Sequence, residues 1–108
     1  MIGIDILEIA RVEKALENEK FVSRVFSKLE QEYIFSKNNA KSATAAGIFC
    51  AKEAVIKVCG GVLSDYEIIR DSSGKPEVNG RDDLEISISH CKDYATSVCI
   101  KTFKTGEN

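Results

Sequence analysis

An α+β fold is predicted by two patterns: apolar residues recur at helical spacing through the first half of the chain, and apolar–polar alternation governs the second. Size is the third observation. With 108 residues, the chain accommodates one domain, expected over 1–103, with a frayed tail at 104–108. An apolar share of 44% and a charged share of 30% describe an ordinary globular protein that can build a modest core without staples.

Residues 2–7 make a short β-rich run, interrupted by Gly3 and Asp5, that reads as a buried strand. Ile9, Val12 and Leu16 then mark a helix over 8–16. Phe21, Val25 and Phe26 carry a second helical stretch, and Leu29, Tyr33 and Ile34 a third that begins near Ser27. The polar segment 36–42 breaks the pattern and places Ser42 as an N-cap. A long helix over 43–58 follows and stops at Gly60-Gly61. It is apolar nearly all round, so the fold or a neighbouring subunit must enclose it. Beyond the glycines, 66–70 reads as a strand, 71–76 as a turn with Gly74 at its tip, and 77–78 as a short segment before a turn at Asn79-Gly80. Leu84, Ile86 and Ile88 alternate with Glu85, Ser87 and Ser89, a half-buried strand. A turn over 90–93 leads into a strand over 94–100, closing a hairpin. The helices are therefore expected to pack on a small antiparallel sheet.

Several function classes are excluded early. A net charge of −2 provides no basic field for nucleic acid or an anionic membrane. No apolar run approaches membrane-spanning length. The start lacks a basic leader and meets Asp5 at once, so no secretory signal is expected. Cys50, Cys59, Cys91 and Cys99 show neither C-x-x-C nor the spacing of a secreted disulfide framework, and the same spacing disfavours a zinc site with His90. A reducing cytoplasm is the expected setting.

Four side chains could carry chemistry. Glu53 and Lys57 lie one turn apart on the long helix, flanked by Ala46, Phe49, Cys50 and Ile56, while Lys52 projects from a different side. A surface ion pair is one reading. A carboxylate for a metal ion and an amine for a phosphate is the other, and the apolar flanks favour it. Asp5 sits in an apolar strand, where either a role at the start of the next helix or a ligand role would explain it. His90, on the face of Ile86 and Ile88, is equally a turn histidine or a phosphate donor. Lys20, Arg24 and Lys28 form a stripe near Arg11 and Lys14, either a solvated face or a dock for an acidic protein.

Three stretches in order, "GIDI" at 3–6, "FCAKEAVIK" at 49–57 and "ISISH" at 86–90, resemble the signatures of phosphopantetheinyl transferases. The small single domain and "GKP" at 74–76 are similar to the holo-acyl-carrier-protein synthase type. The resemblance implies the 4′-phosphopantetheinyl transferase fold and Mg²⁺-dependent transfer of 4′-phosphopantetheine from coenzyme A to a serine of apo-acyl carrier protein, releasing 3′,5′-ADP. It implies Asp5 and Glu53 as metal ligands, Lys57 at the pyrophosphate, Glu53 and Lys57 as the catalytic pair, and His90 near the nucleotide 3′-phosphate. It places Arg11, Lys20 and Phe21 on the surface that receives the carrier protein, and it implies a homotrimer with active sites between subunits. Ile48 stands where some relatives have an arginine, and "KVCGGV" lacks their G-T-G. Two other readings remain at this point: a non-catalytic module binding coenzyme A or an acidic protein, and a related transferase serving a polyketide or peptide synthase carrier.

Overall fold

The computed structural model describes residues 1–102; the tail expected to fray lies outside the described residues. Two antiparallel sheets and four α-helices form the expected α+β architecture. Strand β1 (Ile2–Glu8) leads directly into α1 (Ile9–Ala15), α2 (Glu19–Val25) and α3 (Lys28–Phe35). These are short helices, and side-chain caps start two of them. Asn18 Oδ1 accepts from the Lys20 and Phe21 amides at 2.9 and 3.1 Å. Ser27 and Glu30 form a reciprocal capping box at the head of α3.

The long helix α4 (Lys41–Cys59) begins two residues before its expected start. Ser42 is not its N-cap. A single 3₁₀ turn, Asn38–Ala40, runs straight into it, and the Lys41 amide donates to the Asn38 carbonyl, so the first turn needs no side-chain cap. The Ser42 hydroxyl instead lies 3.5 Å from Glu13 Oε2 on α1. Gly60, at φ 76°, ends α4 as expected.

The expected strand over 66–70 shortens to β2 (Ile68–Arg70), paired with β3 (Pro76–Val78). Its first residues are held in a loop: Asp65 accepts from the Val62 amide at 2.8 Å, and the Tyr66 hydroxyl donates to the Gly60 carbonyl at 2.6 Å. The hairpin of β4 (Leu84–His90) and β5 (Tyr94–Lys101) is as expected, and β1 pairs with β5 to give the order β1-β5-β4.

One face of this sheet carries Gly3, Asp5, Leu7, Ile86, Ser97 and Cys99, and α4 lies across it. The approach is close. A Cβ on Gly3 would sit 2.2 Å from the Ala54 carbonyl oxygen, so only glycine lets β1 and α4 meet at this depth. The opposite face carries Ile2, Ile4, Ile6 and Ile100, which are 71%, 62%, 66% and 41% exposed.

Candidate active site

Strand alternation turns Asp5 towards α4, opposite Ser97 of β5. Its backbone carbonyl accepts from Thr96 Oγ1 at 2.8 Å, which holds β1 in place at the point where the carboxylate projects. From α4, Lys57 Nζ donates to the Ile4 carbonyl at 2.8 Å and lies 3.5 Å from Asp5 Oδ1. Lys57 therefore pairs across to β1 and not with Glu53 one turn earlier. The Glu53 side chain makes no hydrogen bond or ion pair among the described residues.

Glu53 and Asp5 line one cavity of about 380 Å³, together with Arg11 and Val12 of α1, Phe21 of α2 and Phe49 of α4. Phe21 stacks on Phe49 with ring centroids 6.1 Å apart and 22° between planes. Cys50 is fully buried on the same stretch of α4, and its thiol donates to the Ala95 carbonyl at 3.4 Å. Burial, then the negative charges of Asp5 and Glu53, push that thiol from 9.0 up to about 12. It stays protonated at neutral pH and is inert as a nucleophile.

The structure thus brings together Asp5, Glu53, Arg11 and Phe21 in one cavity, with Lys57 on the Asp5 carboxylate. Lys20 is exposed on α2 next to Phe21 but does not line the cavity. His90 is exposed at the end of β4, on the same sheet face as Asp5 but with β5 between them. Ile48 is buried in the core and presents no group to a phosphate. A larger cavity of about 520 Å³, between β3 and β4, holds none of these residues. Phe49, which helical spacing places on the Glu53 face, forms a wall of the cavity. Sequence reasoning missed Thr96 as a brace and the need for glycine at position 3, both of which depend on packing between distant segments.

Two hard carboxylate donors in one cavity suit Mg²⁺, which takes one or two protein carboxylates and completes its shell with water and substrate phosphate oxygens. Among the described residues, no group of three or more His, Cys, Asp or Glu could hold a metal alone. The remaining ligands would come from substrate and water.

A family model of the 4′-phosphopantetheinyl transferase superfamily matches residues 1–99. The chain is 42% identical to a holo-[acyl-carrier-protein] synthase of Fusobacterium nucleatum, over 92% of this chain and 95% of that one. It is 39% identical to a protein of the same name from Alkaliphilus metalliredigens, over 94% and 97%. Among solved structures it is similar to the Helicobacter pylori holo-[acyl-carrier-protein] synthase in complex with coenzyme A. That match has a TM-score of 0.81 and 30% identity and covers 94% of this chain and all of the other. A Bacillus anthracis holo-(acyl-carrier-protein) synthase in complex with coenzyme A (3′,5′-ADP) matches with a TM-score of 0.79 and 33% identity, over 94% and 96%. The fold, the near-complete coverage and the family match lead to one conclusion: this chain belongs to the 4′-phosphopantetheinyl transferase superfamily.

Proposed function

We propose that this chain transfers the 4′-phosphopantetheine group of coenzyme A to a serine of apo-acyl carrier protein, with Mg²⁺, in the cytoplasm, giving holo-acyl carrier protein and 3′,5′-ADP. The observation that carries this reading is the convergence of Asp5 and Glu53 on one cavity, with Lys57 on the Asp5 side.

In the reaction a serine Oγ–P bond forms and the P–O bond to the departing ADP breaks. Mg²⁺, when bound, would neutralise phosphate charge and help align the pyrophosphate. Lys57 supplies positive charge where the leaving phosphate becomes more negative, and the hydrogen bond from its Nζ to the Ile4 carbonyl anchors that charged tip beside β1. Asp5 and Glu53 would hold the metal. Glu53, without a protein partner of its own, is placed to take the serine proton directly or through a water. Phe21, Phe49 and Val12 exclude water from one wall. Arg11 at the cavity, with Lys20 and Phe21 beside it on α2, receives the acidic carrier.

His90 binds the nucleotide 3′-phosphate from outside the cavity of its own chain. That separation suits a site completed across a subunit boundary, and the exposed apolar sheet face suits assembly into a homotrimer. No helix among the described residues is long and apolar enough to cross a membrane.

Intact-mass measurement tests the activity. Protein, Mg²⁺, coenzyme A and an apo-acyl carrier protein are expected to give the phosphopantetheine mass increase on the carrier, lost when the metal is chelated. A folded sample that modifies no member of a panel of fatty-acid, polyketide and peptide synthase carriers overturns the proposal.

A further inference from the structure

Lys52 is next to Glu53 in sequence but points into the core and is only 1% exposed. Its Nζ donates to the Val25 carbonyl at 2.6 Å and meets Glu30 Oε1 at 2.5 Å. Glu30, also 1% exposed, accepts from the Ser27 amide at 2.8 Å through Oε1 and from the Ile68 amide at 2.6 Å through Oε2. One buried ion pair therefore joins α4, the corner between α2 and α3, and β2. Stability is a weak account of it, since a buried pair costs much to desolvate and apolar residues of similar volume often do as well.

The pair connects by contact to the cavity. Lys52 Nζ lies 5.6 Å from the centroid of the Phe26 ring. Phe26 meets Phe21 edge-on, with centroids 6.2 Å apart. Phe21 in turn stacks on Phe49, and both line the cavity that holds Glu53. Helix α2 has only seven residues, too few to hold a position by its own backbone bonds. Its last carbonyl within the helix, Val25, is the one that Lys52 grips.

We propose that Lys52 and Glu30 are positioning residues for the transfer reaction: the pair fixes α2, and through Phe26 and Phe21 the carrier-facing wall of the cavity, against the helix that presents Glu53. This rests on the transferase reading above. Lys52 touches no reacting atom; it acts through the aromatic rings and the end of α2.

The test compares the native protein with a Lys52→Met/Glu30→Gln double variant, which removes both charges together and so leaves no buried charge unpaired. The double variant is expected to unfold cooperatively, as the native protein does. The KM for apo-carrier should rise about tenfold while the KM for coenzyme A stays within about twofold. Amide exchange over Glu19–Val25 should quicken while the centre of α4 stays protected. If the double variant does not fold, Phe26→Leu interrupts the ring contacts with the ion pair intact, and the same rise in carrier KM and the same quickened α2 exchange are expected. Unchanged α2 exchange in whichever variant is read overturns the positioning role without any activity measurement. A loss of kcat in proportion to the folded fraction, with both KM values unchanged, also overturns it. A native protein that modifies no carrier overturns the transferase reading and, with it, the part of the proposal that concerns transfer.

Discussion

At the scale of single residues, Lys57 resolves a choice that spacing alone leaves open. An i, i+4 glutamate and lysine on a helix normally pair, yet here the lysine reaches β1 and leaves the glutamate to the cavity. Under the proposed chemistry, Glu53→Gln and Lys57→Met should each lower kcat by about a hundredfold. Both should melt close to the native protein, because Lys57 is exposed and Glu53 has no protein partner to lose. Intact-mass time courses beside a thermal melt would check this. Periodicity marked both residues as unusual, and the resemblance implied roles for them; neither could show that Lys57 turns to another element.

Cys99 supports a separate prediction. It is fully buried on β5, and burial, reinforced by Cys59 and opposed by Arg81, pushes its thiol from 9.0 up to about 11. The folded state then holds this proton more tightly than the unfolded chain does. The stabilisation is complete below pH 9 and is lost as pH rises from 9 to about 11. Melting temperature should therefore fall across that window, and Cys99→Ala should make the fall shallower, the remaining slope coming from Cys50, whose thiol is raised over an overlapping range.

Among the elements, those with strong internal pattern were legible from sequence, and those defined by their neighbours were not. The alternation of Leu84, Ile86 and Ile88 located β4, and the glycine pair located the end of α4. The start of α4 went unseen because a 3₁₀ turn supplies the hydrogen bond that a cap would otherwise provide. Tyr66 looked like strand because its type favours one, but its hydroxyl bond to Gly60 keeps it in the loop. Gly3 is the element-level feature with the sharpest consequence. Its missing Cβ is where β1 and α4 touch, and the Ala54 oxygen it would strike belongs to backbone. Gly3→Ala should cost about 1–3 kcal/mol in denaturant unfolding. It should reduce transfer further than the lost stability explains, because pushing β1 outward carries Asp5 away from Glu53.

For the molecule as a whole, the candidate site depends on bringing the first strand against a helix near the middle of the chain, an arrangement that no local pattern encodes. The motifs signalled it only as a set, and His90 remains apart from the cavity within one chain. The apolar sheet face is the remaining large-scale feature. Ile100→Glu, on β5 and facing away from the cavity, should convert the proposed trimer to monomer in light scattering and lower activity with it. A variant that stays trimeric and fully active would show that assembly lies elsewhere.

Strand β1 has a further consequence for how such experiments can be designed. Its odd positions Gly3, Asp5 and Leu7 face α4, while its even positions Ile2, Ile4 and Ile6 face outward. The carboxylate and the outward isoleucines are thus successive beads on one short ribbon, about 3.4 Å apart along the chain. Any force that a neighbouring molecule exerts on Ile4 or Ile6 reaches Asp5 through a single peptide link. Substitutions there would disturb Asp5 directly, whereas Ile100 on β5 lies on the same face without being covalently next to it. If partners do dock on this face, their arrival and the placement of Asp5 are one mechanical event.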